Sequence, residues 1–144
     1  METRRNTALV ARFSAYETAV EIGIGRRPGV AASLADAGVA VAATDVADGD
    51  DVEVPAAVSF VRDDVVEAAA RDDPGDPYDA DLVYALNLPP ELHRPALDVA
   101  EAVDADFAFT TLGYDAPAVP CGTEAIPGGE TLYVAREEER NSTA

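Results

Sequence analysis

Apolar residues along this chain fall into short runs that alternate between two spacings. Over residues 6–17, Leu9, Val10, Phe13 and Tyr16 recur at the spacing of one helical face, with Asn6 placed to cap the first turn. Residues 18–24 form a nearly continuous apolar run that ends in glycines, the pattern of a buried parallel strand feeding a tight turn. Pro28 follows, where its fixed φ and missing N–H suit the opening of a helix. That helix is predicted to run to about Ala37, with Gly38 ending it. A second strand is predicted over 39–44, closed by Asp45, and the polar residues 46–57 read as a surface connection.

The same alternation continues. A strand over 58–61 precedes a short helix over 64–71, and Asp72 to Pro77 is rich in turn residues. A fourth strand spans 81–86, and the next helix opens at Pro89 and Pro90, with Leu92, Leu97, Ala100 and Val103 on one face. A fifth strand spans 107–110. Between residues 112 and 130, prolines 117, 120 and 127 and glycines 113, 122, 128 and 129 leave no helical period. The final strand, 131–135, therefore lacks the crossover a parallel neighbour needs and is expected to be an antiparallel edge strand. Residues 137–144 read as a frayed charged tail. The pattern predicts one domain over 1–144, an α/β, Rossmann-like, doubly wound fold with a mainly parallel sheet of five strands plus that edge strand.

In such sheets ligands bind beyond the carboxyl ends of the strands. Gly23 and Gly25 stand where the first strand turns, one permitting the turn and the other letting a ligand approach the backbone. Asp45, ending the second strand, is placed to accept hydrogen bonds from both hydroxyls of a ribose. A dinucleotide fingerprint would need a third glycine where Pro28 stands, which disfavours a nicotinamide-dependent oxidoreductase. Val20-Glu21-Ile22-Gly23-Ile24-Gly25 resembles instead the first motif of class I S-adenosylmethionine-dependent methyltransferases, in which an acid precedes the glycines. The resemblance implies an adenosyl ligand held by Glu21, Gly23, Gly25 and Asp45, with Asp63 or Asp64 on the adenine amino group. Arg27 replaces the glycine usual at its place, and with Arg26 it sets guanidiniums at the mouth of the site, suited to carboxylate or phosphate.

Asn87-Leu88-Pro89-Pro90 resembles the N-P-P motif with which amino-group methyltransferases align the acceptor amine. Here Leu88 intervenes and Glu91 takes the place of the aromatic residue. Asn87, Glu91 and His93 are the candidate acceptor-side or catalytic residues, His93 as a general base. The blander reading of His93 is a solvent-exposed side chain near Glu91 and Arg94. One histidine and one cysteine, Cys121, supply no tetrahedral metal site, and no metal is expected.

Charge alters the picture of the surroundings. Twenty-eight acids against ten basic residues give a formal charge of −18, and every basic residue is arginine. Such a surface repels itself in dilute buffer, whereas molar salt shortens the Debye length to about 3 Å and screens it. A protein adapted to a salt-accumulating archaeal cytoplasm is expected, with no direct nucleic-acid binding. No apolar run reaches the roughly 18 residues of a membrane helix, and the first residues lack the apolar segment of a secretory leader.

Taken with Thr44-Asp45-Val46, Asp81-Leu82-Val83-Tyr84 and Pro89-Pro90-Glu91-Leu92-His93-Arg94, the chain resembles the archaeal uncharacterised protein family 0146 over most of residues 6–135. That resemblance implies a fold related to the class I methyltransferases and no assigned reaction. A non-catalytic nucleoside-binding module, a subunit of a larger enzyme, or a homodimer is compatible with so short a chain.

Overall fold

Successive residues of a strand face opposite ways, so a strand that is apolar at nearly every position must be covered on both faces. Residues 19–22 and 82–85 are of this kind, and all are buried. In the computed structural model, which describes residues 4–113 and 115–135, they form the centre of the sheet. The elements run α1 (Arg4–Phe13), β1 (Thr18–Ile22), α2 (Gly29–Asp36), β2 (Ala40–Asp45), β3 (Ser59–Arg62), α3 (Val65–Ala70), β4 (Leu82–Ala85), α4 (His93–Ala102), β5 (Asp106–Phe109), β6 (Gly122–Ile126) and β7 (Glu130–Ala135). Short 3-10 turns lie at Gly49–Asp51, Asp76–Tyr78 and Pro90–Leu92.

The sheet has seven strands in the order β3-β2-β1-β4-β5-β7-β6. The first five are parallel to their neighbours, and β7 joins β5 antiparallel, as the missing crossover requires. Because the order reverses at β1, the crevice at the carboxyl ends opens between β1 and β4. Each face carries its own core. Leu9 and Phe13 of α1 and Val30 and Leu34 of α2 share one with Val41, Ala43, Leu82 and Tyr84. Val65 and Ala68 of α3 and Leu97 and Ala100 of α4 share the other with Val20, Ile22, Val83, Phe107 and Phe109.

Three local expectations are corrected. The first helix stops at Phe13 instead of continuing to residue 17, and Asn6 lies inside it instead of capping it. The Ser14 hydroxyl donates to Ala11 O at 3.0 Å, an alternative partner for the helix's closing carbonyls. Tyr16 then leaves the helical face, and its hydroxyl donates to Asp106 at 2.7 Å. The second correction is an additional strand, β6, within the proline- and glycine-rich stretch. Its first four residues alternate between half-buried and exposed and only Ile126 is buried, so no apolar run betrays it. Third, β6 is the edge, and β7 lies between it and β5. The predicted tail over 137–144 lies outside the described residues.

The β6–β7 turn depends on Gly128 and Gly129, at φ 99° and 82°. It also presses on α1: a Cβ on Gly128 would come within 3.1 Å of the Arg5 backbone nitrogen. Arg12–Glu124 (2.9 Å) and Arg5–Glu130 (3.1 Å) ion pairs join the same two elements. Gly38, at φ 95°, has nothing within 4 Å of its missing Cβ. Gly128→Ala is therefore expected to destabilise more than Gly38→Ala, by about 1–3 kcal/mol beyond the backbone strain they share. Chemical denaturation of both variants in molar potassium chloride checks this, and equal midpoints would contradict the contact.

Candidate functional site

The end of β1 is tied to the end of β2 by backbone donors. Gly23 and Ile24 N–H both donate to Thr44 O, at 2.8 and 3.3 Å, and Gly25 N–H donates to Asp45 Oδ2 at 2.8 Å. Gly23 and Gly25 take φ 74° and 54°, which glycine adopts without steric cost. Asp45 Oδ1 accepts from Ala47 N–H at 3.0 Å. The carboxylate is thus fixed in position, and each oxygen retains a lone pair for a further donor.

Three openings lie along this carboxyl edge. A cavity of about 180 Å³ is lined by Arg5 and Asn6 of α1, Glu21, Gly23 and Ile24, Arg27, Gly29 and Val30, and Leu86 and Asn87. A shallower depression of about 250 Å³ shares Gly23, Ile24, Arg27, Leu86 and Asn87 with it and adds Gly25, Arg26 and Leu112. Those shared walls make the two openings halves of one site around the β1 turn. The third, about 320 Å³, is lined by Val46, Arg62, Asp63, Asp64 and Glu67 at the ends of β2 and β3.

Glu21 is the unusual group. It is 1% exposed, and its cross-strand partner Tyr84 donates a 2.8 Å hydrogen bond to Oε1. Phe13 covers the Tyr84 ring with centroids 4.9 Å apart. Burial, with the Asp45 charge adding to it, pushes the Glu21 carboxyl up to about 7, against the opposing pull of the Tyr84 bond.

The remaining expected residues divide. Asn87 lines both halves of the site in a left-handed conformation, φ 55°, with its N–H on Thr110 Oγ1 at 2.8 Å. Asp63 and Asp64 stand at the third depression, each with a structural task. Burial pushes Asp63 up, but Arg71 at 2.7 Å and the Tyr78 hydroxyl at 2.8 Å outweigh it and hold the carboxyl below its ordinary range. Asp64 Oδ1 caps α3 by accepting from Val66 N–H at 2.8 Å. Glu91 is exposed and lines neither half of the site.

His93 corrects the solvent-exposed reading, being fully buried at the start of α4 against Phe109. Ala118 N–H donates to Nδ1 at 3.0 Å, which leaves Nε2 to donate to Leu88 O at 2.9 Å. With both nitrogens engaged, the ring joins the β4 turn to the segment before β6 and has no free site for a substrate proton. Among the described residues, no three or more His, Cys, Asp or Glu side chains are grouped to hold a metal ion. Arg5, Tyr84 and Thr110 were not identified from sequence. Tyr84 becomes readable only once β1 and β4 are set in register, and Arg5 only once α1 is packed.

A glycine turn pinned to an acid-ended second strand, beside a crevice at the sheet's reversal, defines a Rossmann-like α/β domain. The chain belongs to the uncharacterised protein family UPF0146, whose model matches residues 5–138. A UPF0146 protein of Halobacterium salinarum is 45% identical over 130 residues, covering 90% of this chain and 95% of the relative. One of Archaeoglobus fulgidus is 39% identical over 93 residues, 65% of this chain and 66% of the relative. Among solved structures, a mutant of MtNAS in complex with S-adenosylmethionine matches with TM-score 0.64 at 17% identity, over 90% of this chain and 60% of that one. An RNA methyltransferase from Salinibacter ruber in complex with S-adenosyl-L-homocysteine matches with TM-score 0.61 at 16% identity, over 93% and 92%. At these identities the likeness is one of fold.

The raised Glu21 carboxyl makes a stability prediction. Its ordinary value is 4.5 and its folded value about 7, so the folded state binds the extra proton between them. The associated stability is present in full below about 4.5 and is lost as pH rises through about 7, on the order of 3 kcal/mol in all. Glu21→Gln removes this titration and keeps an acceptor for Tyr84. Denaturation at pH 5 and pH 8 should show the variant gaining on the wild type at the higher pH. A difference independent of pH would contradict the assignment.

Proposed function

We propose that the protein binds S-adenosylmethionine or a closely related adenosyl ligand across the ends of β2, β1 and β4, and that it is a methyltransferase or a close catalytic relative. The observation that carries this reading is the fixed Asp45 carboxylate, 2.8 Å from the N–H of Gly25, which itself lines the outer half of the site. A ribose lying over the turn would donate both hydroxyls to it. The adenine then faces the third depression, with Asp63 and Asp64 at its wall. The amino-acid tail faces the cavity under the β1 turn, with the Glu21 carboxyl in its wall.

The same geometry disfavours a dinucleotide. A pyrophosphate is normally cradled by N–H groups that point outward from such a turn. Here the N–H groups of Gly23, Ile24 and Gly25 are all turned onto β2.

A second reading, a nucleoside-binding module without catalysis, draws support from His93. The chain's one histidine is buried with both nitrogens occupied, so a methyl transfer must proceed by alignment of the acceptor, with Asn87 as the aligning group, and not by imidazole base catalysis.

Calorimetry in molar potassium chloride tests the binding claim. S-adenosylmethionine is expected to bind and NAD not to. Asp45→Ala should weaken the former by roughly tenfold to a hundredfold, the loss of charge-assisted hydrogen bonds. Unchanged affinity in the variant would remove Asp45 from the site. Binding without methyl transfer to any cellular fraction would favour the module.

A further inference from the structure

Arginines in this chain are mostly spoken for by its many acids. Arg12, Arg62 and Arg71 each sit within 3.0 Å of a carboxylate, and Arg26 is 3.9 Å from Glu53. Arg4, Arg27 and Arg94 have no ion-pair partner among the described residues, and of these three it is Arg27 that lines both halves of the site, its guanidinium without a hydrogen-bond partner as well. A second guanidinium, Arg5, enters the same cavity from α1.

Arg5 is held in place. Its Nε pairs with Glu130 Oε1 at 3.1 Å, and Nη2 donates to Thr110 Oγ1 at 3.3 Å, leaving Nη1 without a partner among the described residues. Thr110 is fully buried, and the same Oγ1 accepts the Asn87 N–H at 2.8 Å. One hydroxyl thus orients both the guanidinium and the turn that carries the Asn87 amide, itself free of any partner among the described residues. Glu130 offsets the charge of Arg5, so Arg27 brings the guanidinium charge that no ion pair among the described residues offsets, with Glu21 the one acid among the residues lining the cavity.

We propose that this cavity is an anion subsite: Arg5 and Arg27, with the Asn87 amide, take a carboxylate or phosphate group, and Thr110 positions Arg5 and Asn87 for it. The inference rests on the adenosyl reading above and adds the chemistry of the group beside the adenosyl moiety. Guanidiniums bind such groups in a two-pronged planar geometry that an ammonium cannot reproduce. The anion comes either from the amino-acid tail of the adenosyl ligand or from a separate acidic substrate.

Calorimetry on the full chain in molar potassium chloride separates these sources. The probes are S-adenosylhomocysteine; 5′-methylthioadenosine, a thioether lacking the amino-acid tail; and succinate added to protein saturated with methylthioadenosine. If the tail supplies the anion, S-adenosylhomocysteine binds roughly tenfold or more tightly than methylthioadenosine. Arg27→Gln then removes most of that preference and leaves methylthioadenosine binding unchanged. If a separate acid supplies it, the two adenosyl ligands bind alike, and succinate binds the loaded wild type but not Arg27→Gln. In either case Thr110→Val reproduces the loss, and Thr110→Ser, which keeps the hydroxyl, does not. Arg27 is exposed and partnerless, so its variant folds normally. If Arg27→Gln leaves all three titrations unchanged, the subsite is overturned while the adenosyl reading stands. If Thr110→Val behaves like Thr110→Ser, the positioning role is overturned. If neither adenosyl ligand binds the wild type, that reading falls and takes the subsite with it.

Discussion

The constraint on which the site depends is the attachment of the β1 turn to the end of β2. Three successive N–H groups, from Gly23, Ile24 and Gly25, are spent on Thr44 O and Asp45 Oδ2. Buried backbone donors must find partners, and here the partners are at one strand end. These bonds tie the turn to β2 and set the Asp45 carboxylate beside Gly25. Glycine is needed because the turn requires positive φ at Gly23 and Gly25. Two features follow: the Asp45 carboxylate is held beside Gly25, and these three N–H groups are not free to cradle a pyrophosphate.

Behind that turn, the interior is arranged around a polar group. Glu21 follows the inward alternation of β1 and would be an isolated buried acid were Tyr84 not its neighbour across the β1–β4 pairing. The phenol satisfies one oxygen, and Phe13 closes the α1 side over it. The helix that completes this packing also delivers Arg5, and the β6–β7 hairpin fixes Arg5 through Glu130. The first helix thereby walls the cavity, and the β6–β7 hairpin holds that helix in place.

Most of the parallel half of the fold was legible because β1, β4 and β5 are buried almost throughout and read as apolar runs between turn residues. Gly23, Gly25 and Asp45 were legible because their chemistry is local to strand ends. The edge strand β6 was not: one face meets solvent, its apolar content is low, and only the positive φ of Gly128 and Gly129 marks its turn. His93 was misread as exposed because its partners, Leu88 O and Ala118 N–H, come from segments brought together only by the sheet. Arg5 and Thr110 escaped notice for the same reason, being 105 positions apart in sequence and 3.3 Å apart in space.

The central claim is a location: an adenosyl ligand lying across the ends of β2, β1 and β4 with its ribose on Asp45. A crystal structure grown with S-adenosylhomocysteine at high salt tests it most directly. The account predicts ribose hydroxyls within hydrogen-bond distance of the Asp45 carboxylate and the thioether sulfur near Gly23 and Asn87. Ligand density anywhere else on the molecule, or a ribose out of reach of Asp45, would contradict it.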